Sequence, residues 1–343
     1  MLIAPIPVCK TRPPPAEYPA HMVSYRTRQW VIGLTSLLSL CTSASAQSDQ
    51  SMLLTPWEDN RIVEARGSAM IFDRGHMENN SGGMHLTQVE SSGRWRFDTK
   101  HPIGPTVGYD YLLLSMSDQH QPFPAQLTDT SFSAGTPFLY THGWFFMAGG
   151  GAGYAGDEAF GNGDAWYGRG FFLTGRELST TSQILFTIDY NGNRTIFPDI
   201  PMPAGIYHKS ISDNLDLILG PVMGVIWSPT DRLTLDLRYE IPDVVDLLAK
   251  YKLNHHWSLY ATFQDRRSAF HADQLPSDRR LFFHQRRAEA GLHFTPWKFA
   301  ELTLAAGYAF DQEFERGWDL RDLDHIADLS DEPYLRLGLA LSY

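Results

Sequence analysis

The sequence predicts an all-β fold, a transmembrane antiparallel up-and-down β-barrel of about 12 strands, with about 14 possible. Three observations predict it: apolar and polar residues alternate with a period of two, aromatic residues flank the alternating segments, and short connections alternate with long ones. The last ten residues, YLRLGLALSY, show the first two. Leucine occupies every second position from Leu335 to Leu341, and Tyr343 continues the same register.

The alternation recurs along the C-terminal half. In RLTLDLRYE (232–240), Leu233 and Leu235 share one face with Tyr239, and polar or charged residues occupy the other. These segments are about nine to eleven residues long, the length of a tilted membrane-spanning strand. A secreted soluble β-sandwich also alternates, but its strands average about five or six residues. Further segments with this pattern are 183–190, 245–253, 257–266, 287–294 and 301–310.

Aromatic residues and connections support the same fold. Tyrosine and tryptophan near strand ends are typical of the girdles at the membrane interfaces. Short connections are expected near 229–231, 254–256 and 296–298, a tight turn at 240–244, and long loops at 191–213, 267–280 and 311–333. The candidate girdle residues are Trp227, Trp257, Trp297, Tyr239, Tyr251, Tyr308, Phe310 and Tyr343.

The N-terminal half is less regular. Segment 84–98 reads as one bent strand or a hairpin, and 47–83 lacks clear alternation, so we expect 47–83 to be a periplasmic or lumenal segment. The barrel is therefore expected over 84–343, with an even number of strands if both ends face the periplasm. Five more strands are expected near 106–117, 126–135, 142–153, 164–175 and 181–190, and another over 214–228.

Residues 1–46 read as a pre-region that contains a secretory signal peptide. Arg26 and Arg28 precede a short apolar run, Trp30 to Leu40, and Ala44-Ser45-Ala46 forms a cleavage signal. The proline-rich stretch ahead of Met22 has no place before a signal peptide, so we expect translation to start at Met22. Export and a barrel together predict the outer membrane of a diderm bacterium.

Composition excludes several functions. The net charge of −11 disfavours binding to nucleic acid. Both cysteines, Cys9 and Cys41, lie before the expected cleavage point, so thiol catalysis and cysteine metal sites are not expected. We expect no cofactor and no metal. The loop 311–333 is strongly acidic, but it lacks the spacing of an EF-hand and reads as a solvated loop.

The polar faces of the strands are expected to point into the lumen. Charges of both signs in a closed interior need partners or water. Two interpretations stay open: an ion-pair network that fills a narrow barrel as a structural wall protein, or a hydrated pore for small solutes. The expected lumen-facing charges are Arg232, Asp236, Arg238, Glu240, Asp246, Lys250, Lys252, Arg266, Arg287, Glu289, Glu301 and Arg336.

The chain resembles outer-membrane β-barrel proteins at its C-terminus. Leu335, Leu337, Leu339, Leu341 and Tyr343 form a pattern similar to the C-terminal signal that such proteins present to the barrel-assembly machinery. The segment GYAFDQEFERGWDL…DLSDEPYLRLGLALSY resembles an uncharacterised family of outer-membrane barrels of diderm bacteria. This resemblance covers 220–343 well and implies a location in outer-membrane lipid, with assembly by that machinery. It implies no activity.

An outer-membrane hydrolase of the lipase or protease type is the alternative. His284 and either Asp265 or Asp273 could meet near the rim, but no G-x-S-x-G elbow is present and catalytic residues are not expected. The adjacent His255 and His256 diverge on a strand or turn, which disfavours a metal pair. Glycine-rich segments at 147–156 and 161–170 lack a phosphate-loop motif and are expected to ease strand curvature.

Overall fold

A computed structural model describes residues 61–76, 83–97, 104–117, 123–242 and 244–343. All its strands belong to one antiparallel sheet. No helix in these residues is long and apolar enough to cross a membrane. The strands are β1 (Val63–His76), β2 (Gly83–Arg96), β3 (Thr106–Met116), β4 (Gln126–Thr141), β5 (Trp144–Gly156), β6 (Trp166–Ser179), β7 (Ser182–Asn191), β8 (Met202–Ser212), β9 (Leu215–Leu219), β10 (Val222–Thr230), β11 (Leu233–Glu240), β12 (Val244–Lys252), β13 (Trp257–Phe270), β14 (Arg280–Trp297), β15 (Ala300–Gly317), β16 (Asp324–Leu329) and β17 (Glu332–Ser342).

The sheet closes on itself through β1. Ala69 on β1 pairs with Val89 on β2 and with Leu337 on β17, so the first and last strands complete a continuous hydrogen-bonded wall. Among the strand pairings of the described residues, the short strand β16 pairs with β15 and does not join the wall. Sixteen strands therefore form the wall, and the predicted class, a closed antiparallel barrel, is confirmed. A closed wall leaves no unpaired edge for lipid to meet.

The predicted number of strands, about 12 or 14, is wrong for three local reasons. β1 lies within 47–83, which was expected to be a periplasmic or lumenal segment, so the barrel begins before residue 84. β8 lies within the loop expected at 191–213. Finally, the single strand expected over 214–228 is two strands, β9 and β10, divided by a turn at Gly220 and Pro221. The expected signal peptide lies outside the described residues.

The outer face of the wall is apolar. On β17 the side chains of Leu335, Leu337, Leu339 and Leu341 are between 41% and 61% exposed, whereas Tyr334 on the opposite face is buried. Trp227, Trp257 and Trp297 are also exposed, near the ends of their strands. In water such a belt would be costly, and it suits a wall surrounded by lipid.

The two ends of the barrel differ. The first described residues and Tyr343 lie at one end, here called the terminal end. Tight turns at this end join β10 to β11 at 231–232 and β12 to β13 at 253–256, close to the connections expected near 229–231 and 254–256. The other end, called the outer end, carries the extended hairpins of β13, β14 and β15. On these extensions the outer face becomes charged, since Asp265 accepts hydrogen bonds from Arg286 at 2.8 Å and from His284 at 2.6 Å. This change marks where the apolar belt stops.

An apolar layer fills part of the lumen toward the outer end. Its side chains come from one continuous arc of the wall, β13 to β15, β17 and β1 to β5, and from the short strand β16. The two ends of this arc touch near the outer end, where the His271 N–H donates to the Ala155 carbonyl at 2.9 Å. The apolar layer consists of Met70, Phe72, Met84, Leu86, Leu112, Leu114, Met116, Leu127, Ala155, Phe270, Leu281, Phe283, Ala309, Phe314, Leu329 and Tyr334.

Candidate functional site

A polar chamber lies in the lumen on the terminal side of the apolar layer. On β1, Arg66 and Ser68 line the chamber and precede Met70 of the layer, and on β3 Asp110 precedes Leu112. The chamber has a volume of about 280 Å³. Its charged and hydrogen-bonding lining includes Arg66, Ser68, Glu90, Ser91, Ser92, Asp110, Tyr111, Gln264, Arg266, His293, Glu301, Thr303 and Arg336.

Arg336 enters the chamber from the closing strand. Its Nη1 lies 3.2 Å from Oε1 of Glu289, and the same oxygen accepts the Tyr260 hydroxyl at 2.5 Å. The Glu289 side chain is only 2% exposed. A carboxylate buried this deeply needs a cation and a donor, and Arg336 and Tyr260 supply them.

A row of three side chains crosses β1, β2 and β3 on the chamber wall. Arg66 is the register partner of Ser92, and Ser92 is the register partner of Asp110. Because register partners point to the same face, all three side chains face the lumen. Arg66 Nε donates to Ser92 Oγ at 2.8 Å. The row therefore carries a cation at one end and a carboxylate at the other.

The other charged side chains of the chamber also form pairs. Arg266 donates to Asp246 at 3.0 Å. Glu301 lies 3.1 Å from His293 and 3.8 Å from Lys250. Glu90 accepts from Gln88 at 2.6 Å, and Arg287 reaches it across the lumen at 3.5 Å. Arg287 also lies 2.8 Å from the Met70 sulfur, so it joins the polar chamber to the apolar layer.

The structure brings most of the predicted lumen charges into pairs. Arg238 bonds Asp236 at 2.5 Å, and the pairs that involve Asp246, Lys250, Arg266, Arg287, Glu289, Glu301 and Arg336 are those given above. Glu240 lies at the end of β11. Arg232 and Lys252 are exposed at the terminal rim, where the Lys252 N–H donates to the Arg232 carbonyl, so they do not line the chamber.

Sequence reasoning missed the chamber residues of the N-terminal strands. Arg66 and Glu90 were not predicted, because β1 was not recognised and 84–98 was left as a bent strand or a hairpin. Asp110 was not named although its strand, β3, was expected. The signal was present on β2, where every second residue is polar at Gln88, Glu90, Ser92 and Arg94.

Two loops, residues 192–201 and 318–322, pack against each other at the outer end. They are here called the strap. Arg280 holds them together: its Nε and Nη2 donate to the Trp318 carbonyl at 2.9 and 2.6 Å, and Nη2 also donates to the Arg194 carbonyl at 3.0 Å. The Leu320 N–H donates to the Thr195 carbonyl at 3.0 Å. Arg280 is 1% exposed, so these carbonyls satisfy a buried guanidinium.

His284 does meet Asp265, as the hydrolase interpretation required. However, His284 Nε2 lies 2.6 Å from Asp265 and Nδ1 lies 2.8 Å from Glu313. Both ring nitrogens are therefore engaged by carboxylates, and neither is placed to accept a proton from a nucleophile. Asp273 is not part of this group; its backbone N–H donates to Asp157 at 2.9 Å. The arrangement is that of an ion-pair network.

One group in the described residues has the atoms for a metal ion. Ligand atoms of Glu313, His325 and Asp328 lie within 4.8 Å of one another. His325 already pairs with Asp328 at 3.2 Å, and Glu313 pairs with His284, so these ion pairs account for their approach.

The glycine-rich segment 147–156 has a packing role. A side chain on Gly149 would meet the Phe171 ring at 2.4 Å, and one on Gly153 would meet the Tyr167 ring at 2.2 Å. Both glycines thus leave room for aromatic rings of β6 on the inner face. From the sequence we expected these glycines to ease strand curvature. We did not predict that they leave space for aromatic rings.

The closed wall, its apolar belt and its charged lumen define a transmembrane β-barrel. No family model and no curated protein matches the chain. Among solved structures it is similar to the CymD monoaromatic hydrocarbon channel, with 8% identity, a TM-score of 0.42, and coverage of 91% of this chain and 98% of that chain. It is also similar to the KdgM porin, with 7% identity, a TM-score of 0.28 and coverage of 82% and 99%.

An outer membrane channel from Pseudomonas putida F1 is a third similar structure, with 12% identity, a TM-score of 0.33, and coverage of 84% of this chain and 97% of that chain.

Proposed function

We propose that the chain is an integral outer-membrane barrel that serves as a narrow, gated pathway for small polar solutes. The observation that carries this proposal is the polar chamber of about 280 Å³ directly behind the apolar layer. A barrel with a purely structural role would gain by filling that space with side chains, since close packing stabilises interiors. Here the space is lined by charges of both signs, which favours water and polar solutes.

The apolar layer is the gate in this proposal. Constrictions lined by apolar side chains exclude water and block conduction without a covalent plug. Leu114 on β3, 1% exposed, and Phe283 on β14, 5% exposed, line the same small cavity in the lumen. Shortening both side chains is expected to hydrate the layer and connect the chamber to the outer end.

Planar-bilayer conductance of the refolded protein tests the pathway. The wild type is expected to show rare, small steps, and the double variant Leu114→Ala/Phe283→Ala frequent and larger ones. Phe132→Ala is the matched control, because that ring is 67% exposed on the outer face and its loss leaves the lumen unchanged. Silent bilayers for wild type and double variant, with both proteins correctly folded, would rule out the pathway and favour a structural wall protein.

The location and assembly of the barrel belong to this proposal. The apolar belt of β17 supports a lipid-surrounded wall, and the pattern Leu335 to Tyr343 supports recognition by the barrel-assembly machinery. Membership of the uncharacterised family and cleavage of the signal peptide stay predictions. With the first described strand at the terminal end, we place that end in the periplasm.

A further inference from the structure

We propose that one water molecule binds in the small cavity that Leu114 and Phe283 line, and that it completes a hydrogen-bonded polar seam through the apolar layer. The pathway crosses its gate along this seam. The inference rests on the proposed function, because it names the crossing point and the smallest solute of that pathway. The seam consists of Gln88, Gln285, Gln312 and Ser330.

The three glutamines of the seam lie beside the apolar layer, Gln88 on β2, Gln285 on β14 and Gln312 on β15. Each is two positions from a member of the layer on the same strand. Their exposed fractions are between 2% and 6%. An amide buried next to apolar side chains is costly unless its N–H and C=O groups are hydrogen-bonded. The partners of these amides therefore have to be accounted for.

The outer part of the seam is continuous. Gln285 Nε2 donates to Gln312 Oε1 at 2.6 Å, and Gln312 Nε2 donates to the Ser330 carbonyl at 2.8 Å. The Ser330 hydroxyl accepts from the His76 N–H at 2.9 Å. Ser330 lies between β16 and β17 at the outer end, where His76 is exposed. Hydrogen-bonding groups thus reach from Gln285 to the outer surface.

The chamber side of the seam ends at Gln88. Its Nε2 donates to Glu90, which lines the polar chamber, at 2.6 Å. Its Oε1 is buried and has no hydrogen-bond partner within the described residues. A buried carbonyl oxygen without a donor is costly. Gln88 therefore requires a further donor, and a small one, because the side chain is almost fully enclosed.

The small cavity lies where the two parts of the seam approach each other. It is lined by Gln88, Ser268 and Gln285, together with Leu114 and Phe283. Its volume is about 20 Å³, and a cavity needs about 10–15 Å³ to hold one water molecule. A water molecule there would donate to Gln88 and bond the Ser268 hydroxyl and the Gln285 amide. Buried water has roughly two to four such partners.

The position of the cavity explains how the gate can open. Glu90 and Arg266 line both the chamber and the small cavity, so the two spaces adjoin. Shortening Leu114 and Phe283 enlarges this cavity, and further water would then follow the first molecule. Elsewhere the layer consists of apolar side chains, which exclude water. The seam is therefore the part of the gate that hydrates first.

A cavity-filling substitution tests the water molecule, because the sign of its effect depends on what the cavity holds. Ser268→Val replaces the hydroxyl with a methyl group and adds a second one. In a dry cavity this filling raises the midpoint of urea unfolding in micelles, since apolar contacts are gained. If it displaces water and leaves Gln88 without a donor, the midpoint falls. We expect a lower midpoint.

Gln88→Met supplies the matched background for this test. Methionine has nearly the shape of glutamine but no amide, so the water molecule has lost its main partner. Ser268→Val should then leave the midpoint unchanged or raise it. An equal fall in both backgrounds would show that Ser268→Val acts by crowding, and a rise in the Gln88 background would show that the cavity is dry. Either result would overturn the water site.

Conductance of two double variants tests the crossing point. Leu114→Ala/Phe283→Ala shortens two side chains of the small cavity, whereas Phe72→Ala/Leu127→Ala shortens two equally buried members of the layer outside its lining. The first should show conductance steps on the order of tenfold more often than wild type, because only there does water extend an existing polar seam. The second should conduct like wild type.

Equal conductance of the two double variants, both correctly folded by heat-modifiable gel mobility, would overturn the crossing point and keep the pathway. Silent bilayers for every variant would remove the pathway and its crossing point together. A midpoint that Ser268→Val lowers only when Gln88 is present would still establish the water site in that case. The two experiments therefore separate a misplaced crossing point from a failed pathway.

Discussion

The terminal and outer halves of the lumen are built from the same strands, yet they differ in chemistry. On β1 the inner face runs from Arg66 and Ser68 to Met70 and Phe72. On β3 it runs from Asp110 to Leu112 and Leu114. The terminal half is a chamber of paired charges around open space, and the outer half is a close-packed apolar layer.

This difference shows that the sequence of one barrel strand specifies three kinds of surface: the outer face, the polar part of the inner face and the apolar part of the inner face. The outer face stays apolar over the belt, and the inner face changes from polar to apolar along the barrel axis. An interior of one kind would be either a fully hydrated channel or a filled wall. The combination places a polar compartment behind an apolar barrier, and each half can be perturbed separately.

The largest effect is expected in the apolar layer. Phe314 is 1% exposed and its ring lies 5.0 Å from that of Phe283 and 4.8 Å from that of Phe123. Phe314→Ala should lower the free energy of unfolding by about 4 kcal/mol, because it leaves a cavity in close-packed surroundings. Chemical unfolding in micelles measures this loss.

Phe132→Ala provides the comparison on the lipid-facing surface. Detergent or lipid can occupy the space that this exposed ring vacates, so the loss should be clearly smaller. Equal losses for the two variants would show that the apolar layer is not close-packed in solution.

The next effect is expected in the chamber. Arg336→Met leaves Glu289 buried without its cation and should cost about 3 kcal/mol in unfolding free energy. Adding Glu289→Leu removes the orphaned charge and should restore most of the stability, since apolar replacements of buried ion pairs are often neutral. A double variant as unstable as Arg336→Met would contradict the pairing seen here.

The sequence predicted the outer surface far better than the lumen. β17 was recognised because its leucines alternate without interruption, and lipid demands that regularity. β1 was missed because its outer face carries Ala65, Gly67 and Ala69, which are too small to produce an apolar stripe. β9 and β10 merged into one expected strand because the turn at Gly220 and Pro221 lies within an apolar run.

The apolar layer could not be predicted because its members come from distant segments. Met70, Leu114 and Phe314 lie on inner faces that the barrel pattern assigns to polar residues. Their apolar character is explained only by the closed wall, which brings these side chains together in the lumen. The chamber was half predicted: the charges of β12 to β17 were named, and those of β1 to β3 were not.

A smaller effect is expected at the strap on the outer end. Arg280→Lys keeps the charge but loses the planar set of donors that reaches both Trp318 and Arg194. We expect local opening of the strap, at a cost of about 1–3 kcal/mol, with little change in global unfolding. Hydrogen exchange of residues 192–201 and 318–322 measures it. Arg279→Lys is the control, because Arg279 is partly exposed and pairs loosely with Asp324 at 3.4 Å.

The smallest effect is a pH response of the same strap. Arg321 donates to Asp319 at 2.6 Å, and this hydrogen bond holds the pKa of the Asp319 carboxyl below its usual range. Asp319 also accepts from the Phe197 N–H at 3.3 Å, so its ionised form ties 318–322 to 192–201. Because the folded-state pKa is lowered, the stabilisation is complete above the unfolded pKa of about 3.9 and is lost as the pH falls through the folded value.

The strap should therefore stay closed at pH 5 and open progressively below about pH 4. Fluorescence of Trp318, in a variant whose other tryptophans are replaced by phenylalanine, reports the opening. Asp319→Asn should remove the transition, since the amide does not titrate and cannot form the ion pair with Arg321. A transition that persists in Asp319→Asn would mean that another carboxylate of this acidic loop causes the pH response. The contact between Asp319 and Phe197 would then not be responsible for it.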